Sequence, residues 1–204
     1  RFNVDSVQTR DLRLIYIQTR LISSKNIMIL VMAVDALRQH FGDNAPIQLD
    51  CAYFPYARQD RVCKPGEASG TAAMAGIINS LKLDQVYVTD PHSASVVRWL
   101  HNCTVRPQAL LFVLHYQLQL NSVTTVVAPD KGATLKAKHV QETLKIPYLL
   151  QATKVRDPVT GQILNTTLPG ASNSVQDQHV LIIDDICDGG RTFIELAKLL
   201  KGMG

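Results

Sequence analysis

The sequence predicts an α/β fold with mainly parallel sheets, because short apolar strands alternate with helices along the chain. Clusters of polar residues repeatedly follow a predicted strand directly, and that edge is where open parallel sheets bind ligands. Hydrophobic residues make up 46% of the 204 residues, which suffices for one large or two small domains. The region after Asn121 repeats the strand–turn–helix plan of the region before it. We therefore predict two domains, residues 1–112 and 113–204.

The first half of the chain is predicted to contain three strands and two helices. Residues 12–18 alternate β-branched and aromatic side chains, as expected of a strand. Residues 25–41, with Ser23 or Ser24 as N-cap, form a helix that is apolar almost all round. Such a helix is expected to be buried on more than one side, in a domain core or a subunit interface. The other elements are strands at 47–53 and 85–89 and a small, apolar helix at 70–81.

The second half is predicted to repeat this alternation. Residues 180–183 are four consecutive apolar residues, enough for a strand buried on both faces. The segment 192–200 has the amphipathic pattern of a surface helix. The remaining elements are strands at 124–128 and 148–152 and a helix at 133–144.

The composition favours small anionic ligands over nucleic acid or a membrane. The net charge is +4, but the basic residues are scattered, without a run that would track a nucleic-acid backbone. The longest apolar run, residues 27–34, is too short to span a bilayer. The four cysteines include no Cys-x-x-Cys pair, so we expect reduced thiols and a cytoplasmic protein. Because Arg1 is not an initiator methionine, we also expect a truncated or partly ordered chain.

The segment 180–193 carries the most informative local pattern. Asp184 and Asp185 follow the predicted strand, and a turn with Asp188, Gly189 and Gly190 leads into a helix. Carboxylates accept hydrogen bonds from ribose hydroxyls, whereas free N–H groups at a helix N-terminus bind phosphate. The pattern therefore favours a sugar-phosphate site, although an ordinary strand–turn–helix joint with acidic residues near its cap would look the same.

This segment resembles the ribose-phosphate loop of the phosphoribosyltransferase superfamily. The loop alone does not separate an enzyme that makes phosphoribosyl pyrophosphate from one that consumes it. Residues 55–61, Pro-Tyr-Ala-Arg-Gln-Asp-Arg, closely match the signature of the ribose-phosphate pyrophosphokinases, also called phosphoribosyl pyrophosphate synthetases. Further matches follow in family order: Asp-Ala-Leu-Arg at 35–38, Asp90-x-His92-Ser93, Pro129-Asp130-x-Gly132 and Lys154-x-Arg156.

The resemblance implies a reaction and an architecture. The family transfers the pyrophosphoryl group of ATP to ribose 5-phosphate, giving phosphoribosyl pyrophosphate and AMP, with Mg²⁺. It is built from two tandem phosphoribosyltransferase-like domains that assemble into dimers and often hexamers. We accordingly expect a nucleotide-side domain at 1–112, a domain carrying the ribose-5-phosphate loop at 113–204, and a homo-oligomer.

The resemblance also implies roles for individual residues. Arg58, Gln59, Asp60 and His92 would bind ATP, because a guanidinium fork suits phosphate oxygens. His92 and Asp130 would meet the metal. Asp130, Lys131 and Gly132 would face the pyrophosphate, with either Lys131 or Lys136 adding charge. The ribose-5-phosphate loop would comprise Asp184, Asp185, Asp188, Gly189, Gly190 and Thr192.

Lys154 and Arg156 are the expected catalytic residues. Their alternate spacing points both side chains the same way on an extended chain. In the family this pair lies on a mobile loop that closes over ATP, and residues 157–161 supply a flexible continuation. We hypothesise that the pair stabilises charge developing between the α- and β-phosphorus. No residue is an evident general base for the ribose 1-hydroxyl, although Asp184 or a nearby metal could assist.

Some positions depart from the usual family pattern. Gly189 stands where threonine is common and Arg191 where glycine is common, so Arg191 either adds a phosphate contact or faces solvent. Phe2, Asn3 and Asp5 match the family's adenine-pocket segment only weakly. Two other functions stay open: a phosphoribosyltransferase that consumes the product, and a non-catalytic homologue that regulates an active synthetase.

Overall fold

The computed structural model describes residues 14–115, 122–156, 163–171 and 175–204. The chain divides into two compact units, Arg1–Arg106 and Pro107–Gly204. The predicted boundary after residue 112 falls instead within a helix, Gln108–His115, that belongs to the second unit. Ala109 and Phe112 of this helix pack in a hydrophobic cluster of that unit, which explains why the division falls before the helix and not within it. The roles assigned to the two domains stay predictions.

The first unit is a parallel α/β sheet, as predicted. Four strands lie in the order β1-β2-β3-β4, and every neighbouring pair is parallel. The elements are β1 (Ile15–Thr19), α1 (Ser24–Phe41), β2 (Ile47–Cys51), α2 (Gly70–Ser80), β3 (Gln85–Thr89), α3 (Ser95–Trp99) and β4 (Cys103–Arg106).

The core of the first unit joins one face of the sheet to α1 and α2. Ile47 and Leu49 of β2 are fully buried in one cluster with Val34 of α1 and Ile78 of α2. The side chain of Ser23 accepts a hydrogen bond from the backbone N–H of Asn26, so Ser23 is the N-cap of the two candidates that the sequence left open, and Ser24 is the first helical residue.

One side of α1 is buried in the single chain, whereas the sequence predicted burial on more than one. Leu30 and Val34 are buried, but the side chains of Met28 and Met32 are 55% and 54% exposed. The helix therefore presents apolar side chains to solvent in the described chain. The subunit-interface alternative that the sequence left open stays a prediction.

A polar cluster ties the four strands together on the other face of the first sheet. Asp50 is 5% exposed and accepts hydrogen bonds from Tyr16 (2.6 Å) and from Nη1 of Arg106 (2.7 Å). The Arg106 guanidinium also lies 3.9 Å from the centroid of the Tyr87 ring. Because a buried carboxylate without a partner would be costly, Arg106 and Tyr16 make the burial of Asp50 tolerable. No local sequence pattern indicates this cluster, because its members come from four separate strands.

The second unit has a parallel sheet with helices on both faces. Its strands lie in the order β6-β5-β9, and a separate antiparallel pair joins β7 to β8. The elements are α4 (Gln108–His115), β5 (Val123–Ala128), α5 (Thr134–Leu144), β6 (Tyr148–Gln151), β7 (Thr153–Arg156), β8 (Ile163–Thr167), β9 (His179–Ile182) and α6 (Arg191–Lys201).

Alternation along β5 explains this double coverage. Val126 belongs to a cluster with Val140 of α5, whereas Val127 belongs to a cluster with Leu196 of α6. Successive side chains of a strand point to opposite faces of the sheet, so the two clusters lie on opposite faces of β5. Among the described residues, no helix is both long and apolar enough to cross a membrane.

Candidate functional site

Polar residues of the second unit converge at one edge of its sheet. Because β5, β6 and β9 are parallel, their carboxyl ends meet at the same edge. Asp130 follows β5 by two residues, Asp184 follows β9 by two, and β7 begins just after β6. The fold thus brings together segments that are more than fifty residues apart in sequence.

The Asp130 loop is held in place by its own backbone. Oδ1 of Asp130 accepts hydrogen bonds from the N–H groups of Gly132 (3.0 Å) and Ala133 (3.3 Å). A Cβ added at Gly132 would lie 3.3 Å from the same oxygen, closer than ordinary contact. The Thr134 hydroxyl lies 2.7 Å from Oε1 of Gln151, which joins the first turn of α5 to β6. Both backbone hydrogen bonds use Oδ1, so Oδ2 of Asp130 can contact a positively charged group.

Lys154 takes that position. Its Nζ lies 3.1 Å from Oδ2 of Asp130, and its side chain is 9% exposed. The family resemblance implied that Lys154 lies on a mobile loop. In the structure it lies on β7, which pairs with β8 in an antiparallel ladder. The backbone of Arg156 lies on the same strand, whereas its side chain and the predicted flexible segment 157–161 lie outside the described residues.

The acid pair is joined to α5 by a second ion pair. Nζ of Lys136 lies 3.5 Å from Oδ1 of Asp185, and both side chains are largely buried. Of the two lysines that the sequence left open, Lys136 therefore contacts the acid pair and Lys131 is exposed.

The half-buried carboxyl group of Asp184 has a pKa above its ordinary value. Burial, followed by a hydrogen bond with Asp185 and the negative charges of Asp185 and Asp130, raises the pKa of Asp184 to about 6. The backbone N–H of Asp185 donates to Oδ1 of Asp184 (2.9 Å), which opposes that rise. A carboxyl group whose pKa lies near neutrality suits the acceptance of a hydroxyl proton.

The glycine turn leads into α6 as predicted. Gly190 is the N-cap residue and has a φ of 73°, a left-handed conformation that favours glycine. A Cβ added at Gly189 would meet nothing within 4 Å, so packing does not require glycine there. The side chains of Asp188 and Thr192 lie in the turn and the first helical turn, where the N–H groups of a helix end can bind an anion.

Arg191 does not lie over the turn. Its side chain is 80% exposed, and its Nε lies 2.7 Å from Oε1 of Glu195, one turn further along α6. Of the two alternatives that the sequence left open, the structure favours a solvent-facing arginine paired within its own helix.

In the first unit, the predicted nucleotide-binding turn rests on the start of α2. The N–H of Gln59 donates to the carbonyl of Tyr56 (2.9 Å), and the N–H of Thr71 donates to the carbonyl of Gln59 (3.1 Å). The Thr71 hydroxyl donates to the carbonyl of Tyr56 at 3.0 Å. These bonds fix the backbone on which Arg58 and Asp60 are mounted.

His92 follows β3, the parallel neighbour of β2, so it lies at the same sheet edge as that turn. The chain turns there at Asp90, whose φ is 42°. His92 belongs to the first unit and Asp130 to the second, and their joint role at a metal stays a prediction. Within the described ranges, no group of three or more histidine, cysteine or acidic side chains is arranged to hold a metal ion.

Replacing Gly70 with alanine is expected to disturb the nucleotide-binding turn. A Cβ there would clash with Oε1 of Gln59 and would lie 2.9 Å from Cβ of Tyr56, so the turn must move. We expect a loss of about 1–3 kcal/mol in the free energy of unfolding, measured by urea denaturation. The matched control is Gly76→Ala in the same helix, where a Cβ meets nothing within 4 Å. That variant is expected to gain about 0.5–1 kcal/mol, and equal effects of the two changes would contradict the argument.

Sequence reasoning missed the residues that support the site from a distance. Gln108 of α4 donates to the carbonyl of Asp184 (3.0 Å), although 76 positions separate the two residues. No local pattern indicates such a contact. The contact between Lys136 and Asp185 was easier to anticipate from the sequence. A lysine in the first turns of the helix that follows the Asp130 loop is expected to lie near the edge of the sheet.

Comparisons with known proteins agree with the pattern of motifs. A family model described as "Phosphoribosyl transferase domain" matches residues 110–204. A ribose-phosphate pyrophosphokinase of Thermococcus kodakarensis is 28% identical over 88% of this chain and 61% of its own length. A ribose-phosphate pyrophosphokinase of Cereibacter sphaeroides is 30% identical over 87% of this chain and 52% of its own length.

A solved structure has the same fold. The phosphoribosylpyrophosphate synthetase of Mycobacterium smegmatis superposes with a TM-score of 0.72 at 21% identity, covering 94% of this chain and 60% of that one. The chain thus spans between about half and three fifths of the length of the relatives it matches.

Proposed function

We propose that this chain belongs to the ribose-phosphate pyrophosphokinase family, to members of which it is 28% and 30% identical, and that the protein transfers the pyrophosphoryl group of ATP to ribose 5-phosphate. The products would be phosphoribosyl pyrophosphate and AMP. Because the chain spans only part of the length of its relatives, the activity is a proposal for the protein to which it belongs.

The observation that supports this proposal most is the composition of the sheet edge in the second unit. It combines a carboxylate loop at Asp130, a largely buried lysine at Lys154, and the acid pair Asp184–Asp185 beside a glycine turn and a helix N-terminus. Transfer of phosphoryl groups depends mainly on positioning and on neutralisation of charge. The residues at this edge are suited both to positioning a sugar phosphate and to neutralising phosphate charge.

The proposed division of labour follows the chemistry of the side chains. The N–H groups around Gly190 would bind the 5-phosphate, and Asp184 and Asp185 would accept hydrogen bonds from the ribose hydroxyls. Asp184 would also accept the proton of the attacking 1-hydroxyl, since its pKa of about 6 leaves it ionised at neutral pH. Lys154 and Arg156 would stabilise charge on the phosphates as AMP leaves.

The nucleotide would be bound by the first unit. We propose that Arg58 and Gln59 contact ATP from the turn that rests on α2, with Asp60 beside them and His92 at the same sheet edge. A guanidinium fork and a carboxamide suit phosphate oxygens and a purine edge, respectively.

The residues present fit Mg²⁺ in their donor chemistry. Carboxylate oxygens such as those of Asp130 are the protein ligands that Mg²⁺ prefers, and it usually keeps several waters and takes substrate phosphates as well. When bound, Mg²⁺ would supply neutralisation of phosphate charge. The predicted ligands His92 and Asp130 remain our proposal for its attachment.

The assembly and location are proposed mainly from the family resemblance. We propose a homo-oligomer, a dimer or hexamer, that acts in the cytoplasm. The exposed Met28 and Met32 on α1 offer apolar surface that a second copy would cover.

A second candidate function is consumption of phosphoribosyl pyrophosphate by a phosphoribosyltransferase. The match of residues 110–204 to the phosphoribosyl transferase domain model is compatible with this function as well. That function gives no reason for the motif at residues 55–61, so we rank it second.

One assay separates the candidates: AMP formation from ATP and Mg²⁺, with and without ribose 5-phosphate. AMP that depends on ribose 5-phosphate supports the synthetase. Release of pyrophosphate from phosphoribosyl pyrophosphate on addition of a nucleobase selects the second candidate. Absence of both from the folded, full-length protein would overturn both and favour the non-catalytic homologue.

A further inference from the structure

The carboxylate of Asp130 has one oxygen to offer to a cation. Oδ1 accepts two backbone hydrogen bonds, from Gly132 and Ala133, which fix the loop. Oδ2 lies 3.1 Å from Nζ of Lys154. A divalent cation that binds Asp130 without breaking the loop must therefore use the oxygen that Lys154 occupies.

The burial of Lys154 also favours its contact with Asp130. Its side chain is 9% exposed, and a buried ammonium group needs an anionic partner. Since Asp130 is 43% exposed at its side chain, a cation from solvent can reach the carboxylate while the lysine holds it from the protein side.

We propose that Lys154 and a divalent cation compete for Oδ2 of Asp130, so that binding of the cation releases Lys154 from this carboxylate. The lysine then needs another anionic partner, and the phosphates of the nucleotide supply one. This coupling deepens the proposed function, on which its biological use rests: the catalytic lysine is withheld until the metal is present.

The neighbouring ion pair does not share this competition. Lys136 holds Asp185 from α5, and its partner belongs to the acid pair rather than to the Asp130 loop. Lys138 lies on α5 as well, but its side chain is 57% exposed and pairs with Glu142. Lys138 is therefore a matched control: a lysine of the same unit, close in sequence, that pairs with a different carboxylate.

The first test measures metal binding without nucleotide or turnover. Mn²⁺ is titrated into the protein, and free Mn²⁺ is followed by electron paramagnetic resonance. We expect Lys154→Gln to bind Mn²⁺ about three- to tenfold more tightly than the wild type, because the carboxylate has lost its competitor. Lys138→Gln is expected to bind as the wild type does, and Asp130→Asn to bind more weakly than either. Unchanged or weaker binding in Lys154→Gln, or full binding in Asp130→Asn, would overturn the proposal.

A second test uses the wild-type protein and guards against a variant that does not fold. Lysines are acetylated with a small reagent with and without Mg²⁺, and the modified peptides are quantified by mass spectrometry. Lys154 is expected to react several-fold faster with Mg²⁺, whereas Lys138 is expected to react equally in both. Acetylation of Lys154 at the same rate with and without Mg²⁺ would contradict the competition. Since neither test needs AMP formation, the competition can fail while the synthetase activity stands, and the reverse also holds.

Discussion

Replacing Lys154 with alanine is expected to lower the rate of AMP formation from ATP and ribose 5-phosphate by about 10²–10³-fold. The side chain is 9% exposed and reaches the carboxylate loop from β7, so its positive charge is held in a defined position. Loss of one preorganised charge that acts on the transition state has this magnitude in other enzymes. The measurement is kcat at saturating ATP, Mg²⁺ and ribose 5-phosphate, together with the KM of each substrate.

Two control variants make the result specific. Lys138→Ala removes an exposed lysine of α5 and is expected to leave kcat unchanged. Lys154→Arg keeps the charge but not the shape, and it is expected to retain an intermediate rate. A fall in kcat equal in all three variants would indicate a general effect on folding, and an unchanged kcat in Lys154→Ala would remove the residue from the proposed mechanism.

The sequence predicts the long elements of the fold well because their apolar patterns are determined locally. The helices α1, α2, α5 and α6, and the strands β2, β3, β5, β6 and β9, lie within a few residues of their predicted positions. The elements that were not predicted are short or depend on a partner. The helix α3 has five residues, and β7 is a strand only because β8 pairs with it in an antiparallel ladder.

In the candidate site, individual residues were predicted from the sequence, but the contacts between them were not. Motif resemblance identified Asp130, Lys154 and Asp184 separately, and the parallel order β6-β5-β9 explains why they reach one edge. Resemblance did not predict that Lys154 contacts Asp130 or that Lys136 contacts Asp185, because these contacts depend on side-chain positions across the sheet edge. These two ion pairs set the charge of the site in the described chain.

Replacing Asp184 with asparagine is expected to stabilise the fold at alkaline pH while reducing activity. The pKa of Asp184 is raised from 3.8 to about 6, with burial as the main cause, so the folded chain holds this proton more tightly than the unfolded chain. The resulting stability is fully present below pH 3.8 and is lost as the pH rises through about 6. Asparagine cannot ionise, and its Oδ1 can still accept the hydrogen bond from the N–H of Asp185.

Asp184→Asn should therefore exceed the wild type in free energy of unfolding at pH 8 by about 1 kcal/mol, since solvent screens this half-buried group. The difference should shrink steadily as the pH falls from 6 towards 4, as measured by urea denaturation. At pH 8 the same variant should lose about 10²-fold in kcat/KM for ribose 5-phosphate, because it cannot accept the hydroxyl proton. Asp177→Asn, at an exposed position, is the control and should change neither quantity. A difference in stability that is independent of pH would show that ionisation of Asp184 is not its source, and full activity in Asp184→Asn would exclude it as the proton acceptor.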